Sequence, residues 1–222
     1  MAPPLIVFDL DGTLIDTAPD LAATLNVILS REGIEPVPYH EARGAIGGGA
    51  RPMIERALAA RDRRLDPREI DRMFRDFIDH YADHIADLSQ PFPGLVNALD
   101  GLAAQDFTLA VCTNKLEWLS RKLLDALRLS DRFAFICGQD TFGVKKPDPQ
   151  VLHLTAERAG GNLRSTIMVG DSITDIRTAR AAGIPVIAVD FGYTDIPVDR
   201  LDPDRVISHY DDLMGAVRDL TA

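Results

Sequence analysis

The fold of this chain is decided by residues 5–13, LIVFDLDGT. The first four residues are apolar and the stretch ends near a turn signal, Gly12, which is typical of a short buried strand. Because side chains alternate along a strand, Asp9 and Asp11 face one side at its end while Leu10 points to the other. The stretch therefore predicts a buried strand that presents two carboxylates at its carboxyl end.

Further apolar runs predict strands that continue the sheet begun by this segment. They cover residues 107–112, 133–137, 166–169, 185–189 and 206–207. Helical patterns lie between them, such as the leucines spaced three or four apart in 116–127. Strands that alternate with helices are joined by crossovers and form a parallel sheet covered on both faces. The expected fold class is therefore α/β, with a doubly wound parallel sheet and a Rossmann-like core.

A helical insertion separates the first strand from the rest of the sheet. Helical patterns occupy residues 21–31, 40–46, 51–60 and 66–86. No strand pattern appears between residues 13 and 107, and the sequence PFPG at 91–94 cannot continue a helix, so it marks the return to the sheet. We therefore predict an α-helical cap domain at residues 17–91, inserted into a catalytic α/β core of residues 1–16 and 92–222.

Composition and charge exclude several classes of protein. The chain has 222 residues and a formal charge of −10, with 34 acidic against 24 basic side chains. This charge opposes binding to nucleic acid and to anionic membrane surfaces, and no apolar run approaches the ~18 residues of a membrane span. Two cysteines form no disulfide framework, and the N-terminus lacks the basic region of a signal peptide. We expect a cytoplasmic monomer or homodimer that binds neither nucleic acid nor membrane.

Polar side chains cluster at the predicted ends of the strands. They are Asp9, Asp11 and Thr13 after the first strand, Thr113, Asn114 and Lys115 after the second, Lys145 and Lys146 in the loop after the third, and Asp171 and Asp175 after the fourth. Ligands of open parallel sheets bind at the carboxyl ends of strands, so these groups are expected to share one crevice. Carboxylates without histidine or thiolate partners suit Mg²⁺. A carboxylate can also attack a phosphoryl group whose oxygens lysine and hydroxyl groups stabilise. The set indicates metal-assisted phosphoryl chemistry on a small phosphorylated metabolite.

Four segments of the chain resemble the four signature motifs of the haloacid dehalogenase superfamily. They are DLDGTLID at residues 9–16, VCTNK at 111–115, KP at 146–147 and VGDSITD at 169–175. The segments occur in the family's order, with a helical insertion where one cap type of that family belongs. Within the superfamily, residues 113–115, 182–185 and 191–193 are similar to the branch that hydrolyses 2-phosphoglycolate.

The resemblance implies catalytic roles for the motif residues. It implies that Asp9 is the nucleophile and that Asp11 is the general acid and base. It also implies that Thr113 and Lys146 bind the phosphoryl group. Lys145 is adjacent to Lys146, so the register of the loop leaves two lysines open for this role, and the proline that follows Lys146 favours the second.

The resemblance also implies a Mg²⁺ site. Its ligands would be Asp9, the backbone carbonyl of Asp11, and Asp171. Asp175 would be an additional or water-mediated ligand. The cofactor expected from the sequence is therefore Mg²⁺.

Substrate-binding groups are expected in the insertion as well as in the core. Gly48 lies in a run of three glycines before a predicted helix that contains Arg51 and Arg56. Free N–H groups at the start of a helix can hold an anion, and the resemblance places a glycine-rich substrate loop here. Which arginine contacts the substrate is open. The further candidates at strand ends are Thr13, Asn114 and Lys115.

The positions of the lysines reduce the number of reactions that this chain could catalyse. They lie at positions 115, 122, 145 and 146, so the insertion has no lysine for the Schiff base that phosphonoacetaldehyde hydrolase forms. Dehalogenases of the family lack the second aspartate of the first motif, whereas Asp11 is present here to protonate a leaving oxygen. Hydrolysis of a phosphate ester therefore remains, and the resemblance implies that the ester is 2-phosphoglycolate. A related phosphatase acting on pyrophosphate or a sugar phosphate, or β-phosphoglucomutase, is the alternative. A non-enzymatic receiver domain is a remote one, because receivers lack the insertion.

Overall fold

A six-stranded parallel sheet forms the centre of the computed structural model, which describes residues 3–194 and 196–221. In chain order the strands are β1 (Leu5–Phe8), β2 (Ile15–Asp16), β3 (Gln90–Pro91), β4 (Thr108–Cys112), β5 (Phe135–Cys137), β6 (Thr166–Gly170), β7 (Val186–Val189) and β8 (Arg205–Ile207). The order across the main sheet is β5-β4-β1-β6-β7-β8, and every pairing in it is parallel. The predicted doubly wound sheet is confirmed.

Helices cover both faces of the sheet and form the insertion. In chain order they are α1 (Ala18–Arg31), α2 (Tyr39–Gly44), α3 (Ala50–Ala59), α4 (Pro67–Asp83), α5 (Leu95–Ala103), α6 (Glu117–Ala126), α7 (Gln150–Arg158), α8 (Ile173–Ala182) and α9 (Leu213–Thr221). Ile6 and Phe8 of β1 belong to one buried cluster with leucines of α5 and α6. Leu5 and Val7 belong to another with residues of α7 and α8. Both faces of β1 are thus buried, which explains its continuous apolar pattern.

The predicted helices of the insertion are present as α1 to α4, with bounds within three residues of those expected. Helix α1 begins earlier than its apolar pattern because Pro19 stands in its first turn, where its missing N–H costs nothing. Helix α4 begins at a capping box in which Asp66 and Glu69 satisfy each other's backbone N–H groups. None of the helices in the described part of the chain is long and apolar enough to cross a membrane.

Two short strands join the insertion to the core, and the prediction of no strand between residues 13 and 107 is wrong there. Strand β2 pairs antiparallel with β3, and Phe92 N donates to Leu14 O at 3.1 Å. Strands of two residues are too short to show alternation, and Pro91 is itself a turn signal. The pairing depends on a contact between segments distant in sequence, at the point where the chain leaves and rejoins the core.

Asp20 ties the two connections of the insertion together. Its buried carboxylate accepts hydrogen bonds from Leu88 N (3.1 Å), Ser89 N (2.8 Å) and Ser89 Oγ (2.6 Å). Asp20 lies in the first turn of α1, whereas the donors follow α4. One carboxylate therefore satisfies the backbone of the returning segment just before β3.

Removing this carboxylate is expected to destabilise the fold without touching the strand ends. Asp20→Ala leaves the buried N–H and hydroxyl of Ser89 without their acceptor, which costs about 3 kcal/mol, or ~6–12 °C in Tm for a chain of this size. Calorimetry or a denaturant titration measures the loss. Asp87→Ala is the matched control, because Asp87 lies beside the same segment but is exposed and pairs only with His84 among the described residues. An equal Tm for Asp20→Ala and Asp87→Ala would contradict this role.

Candidate active site

The carboxyl ends of three neighbouring strands bring the motif residues together. Asp9 follows β1, Thr113 follows β4 and Asp171 follows β6. Because β4, β1 and β6 are adjacent and parallel, these ends meet at one edge of the sheet. The expected crevice at the switch in strand order is where the motif residues lie.

Three buried carboxylates form the centre of the site. Asp9, Asp171 and Asp175 each offer an oxygen, and these oxygens lie within 4.8 Å of one another. Lys146 Nζ lies 2.8 Å from Asp9 Oδ1 and 2.6 Å from Asp175 Oδ1, and the lysine is itself buried. Lys145 is exposed. The lysine of the site is therefore Lys146.

The charges of this cluster are not balanced by the protein. Burial raises the pKa of Asp9 to about 6, with Lys146 opposing the shift and Asp175 adding to it. Burial and the neighbouring Asp175 raise the pKa of Asp171 as well. Burial alone would lower the pKa of Lys146, but the carboxylates of Asp175 and Asp9 raise it above its usual value. One ammonium thus serves a cluster of three buried carboxyl groups, and burial penalises the ionised forms of Asp9 and Asp171.

The cluster fits a hard divalent cation. Its donors are carboxylate oxygens, which Mg²⁺ prefers. Asp9 Oδ1 forms an ion pair with Lys146 but accepts no well-directed hydrogen bond from the described residues, so a buried oxygen is left for another partner. The surplus negative charge also calls for a cation. The residues present therefore suit the Mg²⁺ that the sequence predicts.

Hydrogen bonds from Thr13, in the first motif, and from Tyr193, in the loop after β7, orient the Asp171 carboxylate. Thr13 Oγ1 donates to Asp171 Oδ1 at 3.4 Å, and Tyr193 N donates to Asp171 Oδ2 at 2.7 Å. Gly12 has a φ of 81°, and a Cβ there would lie 2.4 Å from Asp171 Oδ2. Thr13 is fully buried and does not line the cavity described below. Its hydroxyl orients a carboxylate, and its predicted contact with substrate stays a prediction.

Asp175 has two structural tasks besides its place in the cluster. Its Oδ2 accepts from Ser172 Oγ at 2.6 Å and from Ser172 N at 3.1 Å, which completes a capping box at the start of α8. Its Oδ1 pairs with Lys146. The spacing of Ser172 and Asp175 is a capping signal that sequence reasoning on the fourth motif did not use.

Among the described residues, Asp11 does not belong to this cluster of carboxylates, and its side chain pairs with Lys115 instead. Lys115 Nζ lies 2.7 and 2.9 Å from the two oxygens of Asp11, and Thr17 Oγ1 donates to Asp11 Oδ1 at 2.7 Å. The ammonium also lies 4.7 Å from the ring centroid of Tyr81, on α4 of the insertion. Lys115, expected from sequence to bind substrate, therefore also positions the proposed acid and base.

A cavity opens in front of Asp9 and Asp11, between the core and the insertion. Its core side is polar and its insertion side is apolar. The core side includes Thr113, Asn114, Lys115 and Gln139, and the insertion side includes Gly47, Gly49, Met53, Phe74, Phe77 and Tyr81. The volume of about 50 Å³ holds a few water-sized groups. Asn114 Nδ2 donates to Lys146 O at 3.2 Å, whereas its buried Oδ1 has no hydrogen-bond partner within the described residues.

The predicted arginines do not line this cavity. Arg51 pairs with Asp71 and lies over the ring of Phe74 at 5.4 Å. Arg56 donates to Gly44 O at 3.3 Å on the surface. Gly48 lies between two glycines that do line the cavity but is not itself part of the lining. The structure thus brings the glycine loop to the site and leaves the two arginines outside it.

Comparison with known proteins places the chain in a family. Residues 6–189 match the model of haloacid dehalogenase-like hydrolases, so the chain belongs to this family. The membership and the enzyme class that the motifs indicate are confirmed.

The relatives cover nearly the whole chain. It is 52% identical over 213 residues to a phosphoglycolate phosphatase of Mesorhizobium japonicum, which spans 96% of this chain and 94% of the relative. It is 47% identical over 214 residues to a phosphoglycolate phosphatase of Agrobacterium fabrum, with 96% and 92% covered. A crystal structure of a predicted phosphoglycolate phosphatase from Haemophilus somnus superposes with a TM-score of 0.90 at 29% identity, covering 96% of each chain. The similarity therefore extends over nearly the full length of this chain and of each relative.

Proposed function

We propose that this enzyme is a Mg²⁺-dependent phosphomonoesterase that acts through an aspartyl-phosphate at Asp9 and hydrolyses 2-phosphoglycolate to glycolate and phosphate. The observation that supports it most is the buried cluster of Asp9, Asp171 and Asp175 with a single lysine, Lys146. The core would comprise residues 1–16 and 92–222 and the cap residues 17–91. The cavity between them is where the substrate would bind.

The two aspartates of the first motif, Asp9 and Asp11, have different roles in the proposed reaction. A carboxylate oxygen of Asp9 attacks phosphorus, and the bond from phosphorus to the ester oxygen breaks. Asp11 gives its proton to that leaving oxygen and later takes one from the water that attacks the aspartyl-phosphate. The second displacement releases phosphate and restores Asp9. Lys146 and Thr113 hold the phosphoryl oxygens throughout.

The metal would be held by Asp9, the Asp11 carbonyl and Asp171, with Asp175 contributing directly or through water. When bound, Mg²⁺ offsets the charge of the carboxylates and of the transferring phosphoryl group. The chain's own residues orient these ligands, through Thr13 and Tyr193 at Asp171 and through Ser172 at Asp175.

The cavity supports a small substrate with a second negative charge. Lys115 contributes a cationic side chain to the core side of the cavity, and Gly49 and Ala50, where α3 begins, line the insertion side. A carboxylate two atoms from the phosphoryl group would be attracted to both. The names of the relatives agree with this choice.

Comparison of matched substrates tests the assignment. Ethyl phosphate is also a primary alkyl ester, but it has a methyl group where 2-phosphoglycolate has its carboxylate. Lys115→Met is expected to lower kcat/KM for both, because Asp11 loses its partner. The loss on 2-phosphoglycolate should be larger by ~30-fold, which corresponds to about 2 kcal/mol for a lost charged hydrogen bond. Initial rates on both esters, with Arg51→Ala and Arg56→Ala measured alongside, check this.

One outcome would overturn the role of Lys115, and another would overturn the substrate. A loss selective for the carboxylate substrate in Arg51→Ala or Arg56→Ala, and not in Lys115→Met, would transfer carboxylate recognition to that arginine. A wild-type preference for pyrophosphate or a sugar phosphate of more than about tenfold in kcat/KM, or ~1.4 kcal/mol, would refute 2-phosphoglycolate as substrate. The phosphatase mechanism would survive either result.

A further inference from the structure

Arg43, on α2 of the insertion, holds the loop that follows β7. Its guanidinium donates to the backbone carbonyls of Phe191, at 2.9 Å, and of Gly192. The same group lies over the ring of Tyr193, 4.9 Å from its centroid. Arg43 therefore contacts three consecutive residues of the core from the insertion. No motif of the sequence marks it.

The peptide group that accepts from Arg43 also donates to a proposed metal ligand. Gly192 C=O and Tyr193 N–H belong to one planar peptide unit. That N–H donates to Asp171 Oδ2 at 2.7 Å. A cationic donor on the carbonyl polarises the peptide and strengthens its N–H as a donor. One rigid unit thus separates the guanidinium of the insertion from the carboxylate of the core.

Close packing makes Asp171 follow the position of this loop. A Cβ at Gly192 would lie 2.2 Å from Asp171 Cβ, so the loop backbone touches the side chain directly. On the other side, a Cβ at Gly12 would lie 2.4 Å from Asp171 Oδ2 and 2.8 Å from the Tyr193 ring. The carboxylate is clamped between two backbone segments, and a shift of either one displaces it.

Tyr193 attaches the same loop to the start of the insertion. Its hydroxyl donates to Asp16 Oδ1 at 2.6 Å and accepts from Ala18 N at 2.9 Å. These two residues lie in β2 and at the first position of α1, where the chain leaves the core. The loop at 191–193 therefore contacts the insertion twice, at its entry through Tyr193 and at α2 through Arg43.

We propose that Arg43 and Tyr193 are positioning residues that align the Asp171 carboxylate for metal binding when the insertion is seated on the core. The proposal rests on the proposed function, which places Mg²⁺ at Asp171. It predicts that metal affinity depends on a side chain of the insertion that touches neither the metal ligands nor the cavity. Seating of the insertion and completion of the metal site are then one event.

Calorimetric titration of the full chain with Mg²⁺ tests the proposal directly, without substrate. Arg43→Ala is expected to raise the Kd for Mg²⁺ by ~10-fold, a usual effect of removing a group that orients a ligand. Arg43→Lys keeps the charge but loses the planar fork, so a smaller rise is expected. Arg61→Ala is the matched control. Its guanidinium donates to the carbonyls of Glu35 and Pro36, both within the insertion, and its Kd should equal that of the wild type.

Hydrogen exchange of the Tyr193 amide gives a second readout in the metal-free protein. Exchange should be faster in Arg43→Ala, and in Tyr193→Phe, which keeps the ring and backbone but loses the bonds to Asp16 and Ala18. A wild-type Kd in both Arg43 variants would overturn the proposal, as would an equal loss of affinity in Arg61→Ala. If Arg43→Ala does not fold, the Kd of Arg43→Lys for Mg²⁺ tests the proposal alone. Absence of Mg²⁺ binding in the wild type would instead refute the metal site of the proposed function, and this inference with it.

Discussion

Replacing Asp9 by asparagine is expected to lower kcat by at least ~10³-fold, because an amide is a poor nucleophile where the reaction needs a carboxylate. The fold should survive the change. Burial raises the pKa of Asp9 to about 6, well above its ordinary value, so keeping Asp9 ionised at neutral pH costs the folded state stability relative to the unfolded state. The neutral amide removes this penalty, and Tm of the metal-free variant should equal or exceed that of the wild type. Steady-state rates and calorimetry on the same preparation measure both effects.

Two comparisons make this result specific. Asp199→Asn changes an exposed aspartate outside the site and should leave kcat and Tm unchanged. Asp11→Asn should abolish turnover of alkyl phosphates but retain more activity on p-nitrophenyl phosphate, whose leaving group needs no proton. Borohydride reduction during turnover, followed by mass spectrometry, should modify Asp9. Retention of more than about a hundredth of wild-type kcat in Asp9→Asn would contradict covalent catalysis by this residue.

The second large effect concerns Asp171, the carboxylate of the cluster that has no lysine partner within the described residues. Asp171→Ala is expected to raise the Mg²⁺ concentration for half-maximal activity by ~100-fold, because the proposed direct ligand is lost. Mg²⁺ titration of activity and of binding heat measures the shift. An activation curve equal to that of the wild type would refute Asp171 as a ligand.

Asp175→Ala is the informative contrast. Asp175 is fully buried, pairs with Lys146 and caps α8, so its removal should cost about 3 kcal/mol of stability. Its effect on Mg²⁺ activation should be smaller than that of Asp171→Ala. In the wild type, EDTA treatment should abolish turnover, and Ca²⁺ should inhibit because its looser, larger coordination shell misplaces the nucleophile. Full activity of the EDTA-treated enzyme without added metal would exclude the proposed metal dependence.

The apolar patterns predicted most of the fold because they are local. Strand β1 is buried on both faces, and a continuous apolar run is what such a strand requires. Helices α1 to α4 show their apolar pattern over several turns, so their existence was predictable. Their observed bounds differ from the predicted ones by up to three residues. Strands β2 and β3 were not predictable, because each has two residues and exists only through the other.

The motifs likewise identified the groups of the site but not their partners. The candidate groups converge because the carboxyl ends of parallel strands lie at one edge of the sheet, and the sequence shows which residues follow each strand. These groups are Asp9, Asp171, Asp175 and Lys146. The choice of Lys146 over Lys145 depended on which side chain the loop buries. The exclusion of Arg51 and Arg56 from the cavity depended on nearer partners within the insertion.

Local patterns were sufficient to predict a doubly wound α/β core, a helical insertion and four motifs, because strand and helix periods and short turns are properties of neighbouring residues. The pairing of Lys115 with Asp11, and the contact of Arg43 with the peptide between Gly192 and Tyr193, are visible only in the folded protein. These partners are 104 and 149 residues apart. No local pattern links such positions, since their contact arises only when the insertion packs on the core and brings their side chains within hydrogen-bonding distance.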